Sequence, residues 1–281
     1  MLTEHQQRFI KIIEGLRYGC GVVNVFEDFV RLGTYEISQN TRRSLGWEID
    51  DGDEESYLEI VKRYKPEEVK GPFVEMFACL VEGLEKMEGD FLGPIFMEMG
   101  LGNSALGQFF TPYHISLLMA KLSIDKDVIR REIDQKGYVV MNDPCCGSGG
   151  MPIAYAQAFR EAGFNPETEL FIVAQDLGNT AANMTYLQLS LRGIAAQVLN
   201  MNSLIPDQVF WGRFTPVYFW KGWPFRLNGQ REQVEMIEDS NIIDCETKEV
   251  VAEAKGKVLP KAKSKPKSLP SIQKSLFDGL T

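Results

Sequence analysis

A glycine-rich loop near the middle of the chain constrains the fold more than any other stretch. Residues 138–151 read YVVMNDPCCGSGGM, in which an apolar run stops at Asn142 and Asp143, three closely spaced glycines follow, and helical character resumes after them. This order predicts a strand, a tight loop and the start of a helix. In an open α/β sheet such a loop lies at the carboxyl end of a strand, where ligands bind, and glycine lets the backbone approach the ligand closely. The sequence therefore predicts an α/β fold with a ligand site at this loop.

The residues of the loop indicate which ligands fit it. A phosphate-binding P-loop ends in Gly-Lys-Ser/Thr and a dinucleotide fingerprint is GxGxxG, and the GSGG of residues 147–150 satisfies neither. Asp143 stands directly before the loop, where a carboxylate repels phosphate but attracts a cationic or polyhydroxylated ligand. Two alternatives stay open: a glycine turn without a ligand, and a nucleophilic role for Cys145 or Cys146, near which the sequence has no histidine or other base.

The composition places the chain in a broad class. Its 281 residues are 44% hydrophobic and 25% charged, which allows one α/β domain and a smaller partner domain. No apolar run approaches the roughly 18 residues of a membrane helix, and the start of the chain lacks a signal-peptide pattern. We therefore expect a cytoplasmic protein without a membrane partner. Five cysteines without a CxxC pair, and only two histidines, predict reduced thiols and no metal site.

A helical region is predicted over residues 1–100, because apolar residues recur there at helical spacing. Another helix is predicted to begin at Thr111, as its N-cap, with Pro112 at the first helical position. One face of that helix carries Ile115, Leu118, Met119 and Leu122. Just before it, Phe109 and Phe110 stand at a predicted loop tip, where at least one stacks on a flat ligand or both enter the core.

Two further strands are predicted after the loop. The apolar run that starts at Leu170 ends at Asp176, and a carboxylate at the end of the second strand of a βαβ unit usually holds a ribose diol. A helix is predicted over residues 179–192. The third strand, residues 195–199, has polar residues at its carboxyl end: Asn200, Asn202 and Ser203.

Several of these motifs together resemble one enzyme family. GQFFTP at residues 107–112, DPCCGSGG at residues 143–150, Asp176 and NSL at residues 202–204 have the order and spacing seen in adenine-specific (N6) DNA methyltransferases. The chain most resembles the modification subunits of type I restriction-modification systems, over about residues 90–204. The resemblance implies a Rossmann-like S-adenosylmethionine-dependent methyltransferase domain with a truncated sheet over residues 101–228, preceded by the helical N-terminal region.

The resemblance also implies roles for single residues. Phe110, Thr111 and Pro112 would flank the methionine end of the cofactor S-adenosylmethionine. Asp176 would bind its ribose and Asn202 would lie beside its adenine. The methionine part would be wrapped by loop residues, namely Asp143, Cys145, Gly147 and Gly149. The partners implied are DNA and a specificity subunit or second methyltransferase subunit.

One motif of the family has no counterpart in this sequence. The family places (N/D)PP(Y/F) after the fourth strand, where it holds the target amino group and stacks on the flipped base. The nearest text is GWPFRLN at residues 222–228, which leaves Pro224 and Phe225 as catalytic candidates. The intact cofactor motifs favour an active DNA adenine methyltransferase. The missing motif favours the alternative, an inactive relative that serves as a DNA- or partner-binding accessory or an anti-restriction module.

Residues 209–227 hold a dense set of aromatic side chains. They predict either a closing strand with its core or an exposed surface for bases or a partner protein. A sheet that stops this early also leaves an edge for another copy or another protein to cover.

Residues 229–281 are predicted to form a flexible, lysine-rich tail. Seven lysines against two acids give residues 253–281 a net charge of +5, in a chain whose net charge is -9. QKSLF at residues 273–277 resembles the peptide by which bacterial proteins bind the sliding clamp of replication. Leu276 and Phe277 would be its hydrophobic anchors and Gln273 its hydrogen-bonding latch. The alternative is a short terminal helix that docks on the body.

Overall fold

The N-terminal part of the chain is helical. The computed structural model describes residues 2–102, 109–205 and 207–227, without the side chains of residues 17–20. Its first elements are α1 (Glu4–Cys20), α2 (Val22–Ser44), α3 (Asp51–Val61), α4 (Pro66–Glu68), a π-helical turn (Val69–Phe73), α5 (Val74–Lys86) and α6 (Leu92–Glu98).

The remaining elements build a mixed sheet with helices around it. They are α7 (Tyr113–Ser123), α8 (Lys126–Lys136), β1 (Val139–Asp143), α9 (Gly150–Glu161), α10 (Pro166–Glu169), β2 (Leu170–Asp176), α11 (Asn179–Leu191), β3 (Ala196–Met201), β4 (Val209–Phe214), α12 (Pro216–Trp220) and α13 (Trp223–Leu227). The four strands of the described residues lie in the order β1-β2-β3-β4. The first three are parallel and β4 is antiparallel to β3. The predicted α/β class is therefore confirmed.

The two faces of the sheet are covered differently. Helices α9 and α11 connect the parallel strands and pack on one face, where Phe159 and Tyr186 are among the buried residues. On the other face α12 and α13 pack through Tyr218 and Trp223. Strand β1 is an edge of the sheet among the described residues. Its Val140 is 49% exposed, so the second face is only partly covered.

The N-terminal helices share a core with the sheet domain. Their buried residues, such as Phe9, Phe26 and Phe91, form one cluster with Met184 and Leu187 of α11. Helix α11 directly follows the strand that ends at Asp176. The N-terminal helices therefore pack against a helix that borders the predicted ligand site.

The aromatic segment after β3 is partly core and partly surface. Trp223 is fully buried, and the rings of Phe214 and Tyr218 stack with centroids 4.0 Å apart. Trp220 and Phe225 are 62% and 70% exposed. The interpretation as core therefore holds for Phe214, Tyr218 and Trp223, whereas a role of Trp220 and Phe225 in binding bases or a partner stays a prediction.

The start of α7 differs from the prediction at Thr111. Pro112, not Thr111, is the N-cap residue, with an extended ψ of 136°, and its carbonyl accepts the amides of Ile115 and Ser116 at 2.9 and 3.2 Å. The helix therefore begins one residue later than predicted, at Tyr113. Small residues, Ser116 and Ala120, form its buried face, and its apolar stripe is exposed: Ile115, Leu118, Met119 and Leu122.

Within the part of the chain that the structure describes, every helix is too short or too polar to cross a lipid bilayer.

Candidate functional site

The polar residues predicted at strand ends meet at one edge of the sheet. Strands β1, β2 and β3 run in parallel, so their carboxyl ends lie side by side. Asp143 ends β1, Asp176 ends β2, and Asn200 of β3 is the register partner of Asp176. The chain therefore brings two carboxylates and an amide to the place where ligands bind in such sheets.

The glycine loop needs glycine at two positions. Gly147 and Gly149 have φ values of 58° and 93°, a region that side chains with a Cβ rarely adopt. A Cβ at Gly147 would lie 2.8 Å from the ring of Phe110, and one at Gly149 would lie 3.1 Å from the hydroxyl of Thr185. The loop backbone thus passes close to its neighbours just before α9.

Asp176 connects the second strand to this loop. Its Oδ2 accepts a hydrogen bond from the amide of Gly147 at 2.9 Å, and its Oδ1 accepts the amide of Gly178 at 2.8 Å. Asn200 donates from Nδ2 to the carbonyls of Asp176 and Leu177 at 3.0 and 2.9 Å. Because each carboxylate oxygen can accept more than one hydrogen bond, Asp176 keeps capacity for a ligand hydroxyl.

Asp143 is half-buried on the other side of the loop. Burial raises the pKa of its carboxyl, the nearby charge of Asp176 raises it further, and the hydrogen bond from the amide of Cys145 opposes both. Two carboxylates that repel each other are relieved by a positive group between them. The electrostatics of the site therefore favour a cationic ligand.

The two aromatic residues before α7 have separate environments. Phe110 packs on Phe96 of α6, with ring centroids 5.0 Å apart, whereas Phe109 is 71% exposed. Both line a cavity of about 90 Å³ together with Thr111, Asp143, Cys145 and Gly147. This cavity is smaller than a typical ligand pocket of about 300 Å³ or more, so by itself it has room for only part of such a ligand.

The buried cysteine of the loop, Cys146, is poorly suited to nucleophilic attack. Burial raises the pKa of the Cys146 thiol well above its ordinary value, and the thiol lies 3.4 Å from the hydroxyl of Thr185. A buried thiol that stays protonated is a poor nucleophile. Cys145 is exposed, and its amide is the group that contacts Asp143.

Residues after β3 close the site on its far side. Asn202 accepts the amide of Leu204 at 3.1 Å, and its side-chain amide lies 3.3 Å from Gln208. Ser203 donates to the carbonyl of Pro144, which ties this turn to the glycine loop. Asn202 therefore lies at the carboxyl end of the third strand, as predicted. Its side chain makes hydrogen bonds within the turn that follows.

Pro224 and Phe225 lie at the opposite end of the sheet. Their helix α13 is held by Trp223, whose ring contacts Tyr138 and whose Nε1 donates to the carbonyl of Glu167. Tyr138 and Glu167 precede β1 and β2, so they mark the amino ends of these strands. A five-residue strand separates its ends by about 16 Å. Pro224 and Phe225 therefore lie away from the glycine loop, and their role as catalytic candidates stays a prediction.

Two buried residues behind the loop were not predicted as site residues. Asp90, at the start of the DFLGPIF segment, hydrogen-bonds to the hydroxyl of Ser148, and Gln188 of α11 donates to the Ser148 carbonyl at 2.7 Å. The sequence feature that could have indicated Asp90 is its carboxylate at the start of an otherwise apolar segment. Gln273, Leu276 and Phe277 of the tail lie outside the described residues.

A larger cavity, of about 820 Å³, lies between α5, α9 and α10. Pro166 and Glu167, which precede β2, are part of its wall, so it opens near the amino ends of the strands. Volume alone would favour it as the site. The chemistry favours the smaller cavity, because only that one is bounded by the glycine loop and Asp143.

One comparison with known proteins found a family match. The family model described as N-6 DNA methylase matches residues 98–215. Searches of curated proteins and of solved structures gave no match. The matched segment contains the glycine loop and the two carboxylates that flank it. This segment of the chain therefore resembles the N-6 DNA methylases.

Proposed function

We propose that the protein is an S-adenosylmethionine-dependent DNA adenine-N6 methyltransferase of restriction-modification type. The observation that carries the proposal is the pair of carboxylates, Asp143 and Asp176, on either side of a glycine loop without lysine. N-6 DNA methylases generally use this cofactor and act on DNA. The finer resemblance to type I modification subunits supports the same assignment.

The residues at the sheet edge fit the chemistry of the cofactor. S-adenosylmethionine supplies a methyl group on a cationic sulfonium and also has an ammonium group, and both positive charges suit Asp143. Its ribose diol suits the remaining acceptor capacity of Asp176. The further residues proposed to hold it are Phe110, Thr111, Pro112, Cys145, Gly147, Gly149 and Asn202.

The target adenine would need a group that orients its amine. Methyl transfer from a sulfonium depends mostly on positioning the amine in line with the methyl group. The (N/D)PP(Y/F) motif that does this in the family is missing from the sequence. The acidic balance of the chain, with a net charge of -9, also gives its body little attraction for DNA phosphates. We therefore propose that a specificity subunit or second methyltransferase subunit completes the site.

The proposal is tested by calorimetric titration of the protein with S-adenosylmethionine, followed by an assay of methyl transfer to unmethylated DNA. Binding with transfer would establish an enzyme that orients its target amine without the usual motif. Binding without transfer, restored by a cell extract or partner subunit, would support the incomplete site. Failure to bind the cofactor would overturn the proposal.

Binding of S-adenosylmethionine is expected to weaken as the pH falls. In the free protein the pKa of Asp143 is raised, so its carboxyl takes up a proton sooner than an ordinary aspartate. A cationic ligand binds the ionised carboxyl, so affinity rises with pH through this pKa and then levels off. Titration calorimetry from neutral to mildly acidic pH measures the effect.

Asp143→Asn is the control for this prediction. It keeps an acceptor for the amide of Cys145 but removes the charge, so we expect binding to weaken about tenfold and to lose its pH dependence. The free variant should unfold at a higher temperature than the wild type at neutral pH, because the cost of a buried charge beside Asp176 is gone. Equal pH profiles for the two proteins would contradict the role of Asp143.

A second candidate function is an inactive methyltransferase relative that serves as a DNA- or partner-binding accessory or an anti-restriction module tethered to the sliding clamp. The location of Pro224 and Phe225 away from the loop favours it, because these two residues are the nearest counterpart of the missing motif in the sequence. The resemblance of QKSLF, residues 273–277, to clamp-binding peptides supports the tether.

The tail peptide gives a separate prediction. The double variant Leu276→Ala, Phe277→Ala is expected to bind a bacterial sliding clamp at least about tenfold more weakly than the wild type, because two apolar anchors are lost. Surface plasmon resonance on immobilised clamp measures this. Lys274→Ala in the same peptide is the matched control and should keep most of the affinity. Equal binding of all three proteins would rule out the tether.

A further inference from the structure

We propose that Asp90 is the positioning residue of the glycine loop and holds Ser148 in the conformation that the cofactor site requires. Asp90 precedes α6 and is 4% exposed. Its Oδ2 accepts the hydroxyl of Ser148, which stands between the two glycines with positive φ. The expected effect of Asp90 on cofactor binding rests on the proposed function. Its effect on the loop, which is tested first and without ligand, does not.

A network of buried hydrogen bonds fixes the carboxylate. Its Oδ1 accepts the amide of Gly93 at 2.8 Å and Nε2 of Gln188 at 2.9 Å. Gln188 also donates to the Ser148 carbonyl at 2.7 Å and accepts the amide of Phe91, likewise at 2.7 Å. Both the hydroxyl and the carbonyl of Ser148 are therefore held by residues outside the loop.

The buried carboxylate of Asp90 does more than fill space in the core. A buried carboxylate is costly, and burial raises the pKa of Asp90 even though three hydrogen bonds and the nearby Arg192 oppose it. A fold that needed only to fill this space would use an apolar residue. What the carboxylate adds is a strong, directed acceptor for the Ser148 hydroxyl, which fixes one turn of the loop.

The network also joins the loop to the N-terminal helices. Gln6 of α1 is 2% exposed and donates to the carbonyl of Phe91 at 2.9 Å, next to Asp90 in sequence. The helical region thus supports the loop from behind through Phe91 and Gln188. The N-terminal helices would therefore help to position the loop although they do not contact the cofactor.

Gly93 offers a steric test of the contact. A Cβ at Gly93 would lie 2.5 Å from the hydroxyl oxygen of Ser148, and it would also clash with Asp90. Gly93 lies inside α6 with an ordinary φ, so alanine there suits the helix, and the nearest atoms that its Cβ would push belong to Asp90 and Ser148. Gly15 of α1 is the matched control, since a Cβ there meets open space.

The first experiment is hydrogen exchange of the peptide spanning residues 144–151, without ligand. Gly93→Ala and Asp90→Ala are each expected to speed exchange of the loop amides by about tenfold or more, because the loop opens more often. Asp90→Asn keeps one acceptor oxygen and replaces the other with an amide group, which can only donate to the Ser148 hydroxyl, so its loop exchange should lie between those of the wild type and Asp90→Ala. Gly15→Ala should leave the loop unchanged.

Asp28→Ala controls for loss of stability. Asp28 is 2% exposed and accepts from Arg63 and Tyr64 at 2.9 and 2.8 Å, so its loss also removes a buried, hydrogen-bonded carboxylate. It should lower the unfolding temperature while sparing the loop. Equal loop exchange in the Asp28 and Asp90 variants, or wild-type exchange in Gly93→Ala, would overturn the proposal.

The second experiment is titration with S-adenosylmethionine. We expect Gly93→Ala to raise the dissociation constant by about tenfold or more and Gly15→Ala to leave it unchanged. If the wild type does not bind the cofactor, the proposed function fails while the exchange result still decides the role of Asp90. If the exchange changes but the affinity does not, the loop is positioned by Asp90 without serving the cofactor, and the proposal is overturned at that step.

Discussion

Replacement of Asp176 by alanine is expected to weaken binding of S-adenosylmethionine by at least about a hundredfold. The variant removes the proposed acceptor for the ribose and also frees the amides of Gly147 and Gly178, which the carboxylate now holds. Each hydrogen bond to a charged group contributes about 1.5–3 kcal/mol. Calorimetric titration of the purified variant measures the loss.

Asp125→Ala is the matched control for Asp176→Ala. Asp125 also accepts two backbone amides, those of Asp127 and Val128 at 3.0 and 3.1 Å, but it does so at the start of α8. Its loss should cost about 1 kcal/mol of stability as a lost helix cap, with no effect on the cofactor. A dissociation constant for Asp176→Ala within threefold of the control, roughly 0.7 kcal/mol, would contradict the proposed ribose site.

Replacement of Trp223 by alanine is expected to lower the free energy of unfolding by about 3–5 kcal/mol. The Trp223 ring is fully buried and lies 5.7 Å from the ring of Tyr138 and 5.5 Å from that of Phe171. Its Nε1 also donates to the carbonyl of Glu167 at 3.1 Å. The loss combines a large cavity with an unpaired carbonyl on the face that α13 covers. Urea denaturation followed by circular dichroism measures the effect.

Trp220→Ala provides the comparison within the same segment. Trp220 is 62% exposed, so its loss should change the free energy of unfolding by no more than about 0.5 kcal/mol. A similar cost for the two variants would mean that the segment does not pack as described.

The local sequence predicted most of the sheet and its loop. The strand predicted from Leu170 to Asp176 is β2, and the helix predicted over residues 179–192 is α11, which ends at Leu191. Apolar periodicity, glycines and carboxylates at strand ends act within a few residues, so they can be read without knowledge of the rest of the chain. The predicted start of α7 was wrong by one residue, because Pro112 has an extended ψ and the sequence alone does not specify this angle.

The sequence by itself determined the α/β class, the glycine loop and the two carboxylates that flank it, because these features depend on short stretches of chain. Only the tertiary structure decided which distant residues support them. Asp90 meets Ser148 across 58 positions and Gln188 across 98 positions. The structure also showed that Phe110 packs on Phe96 whereas Phe109 is exposed. It placed Phe225 at the end of the sheet opposite the glycine loop. Periodicity shows which face of an element is apolar, but contacts between distant elements are set by how those faces pack together.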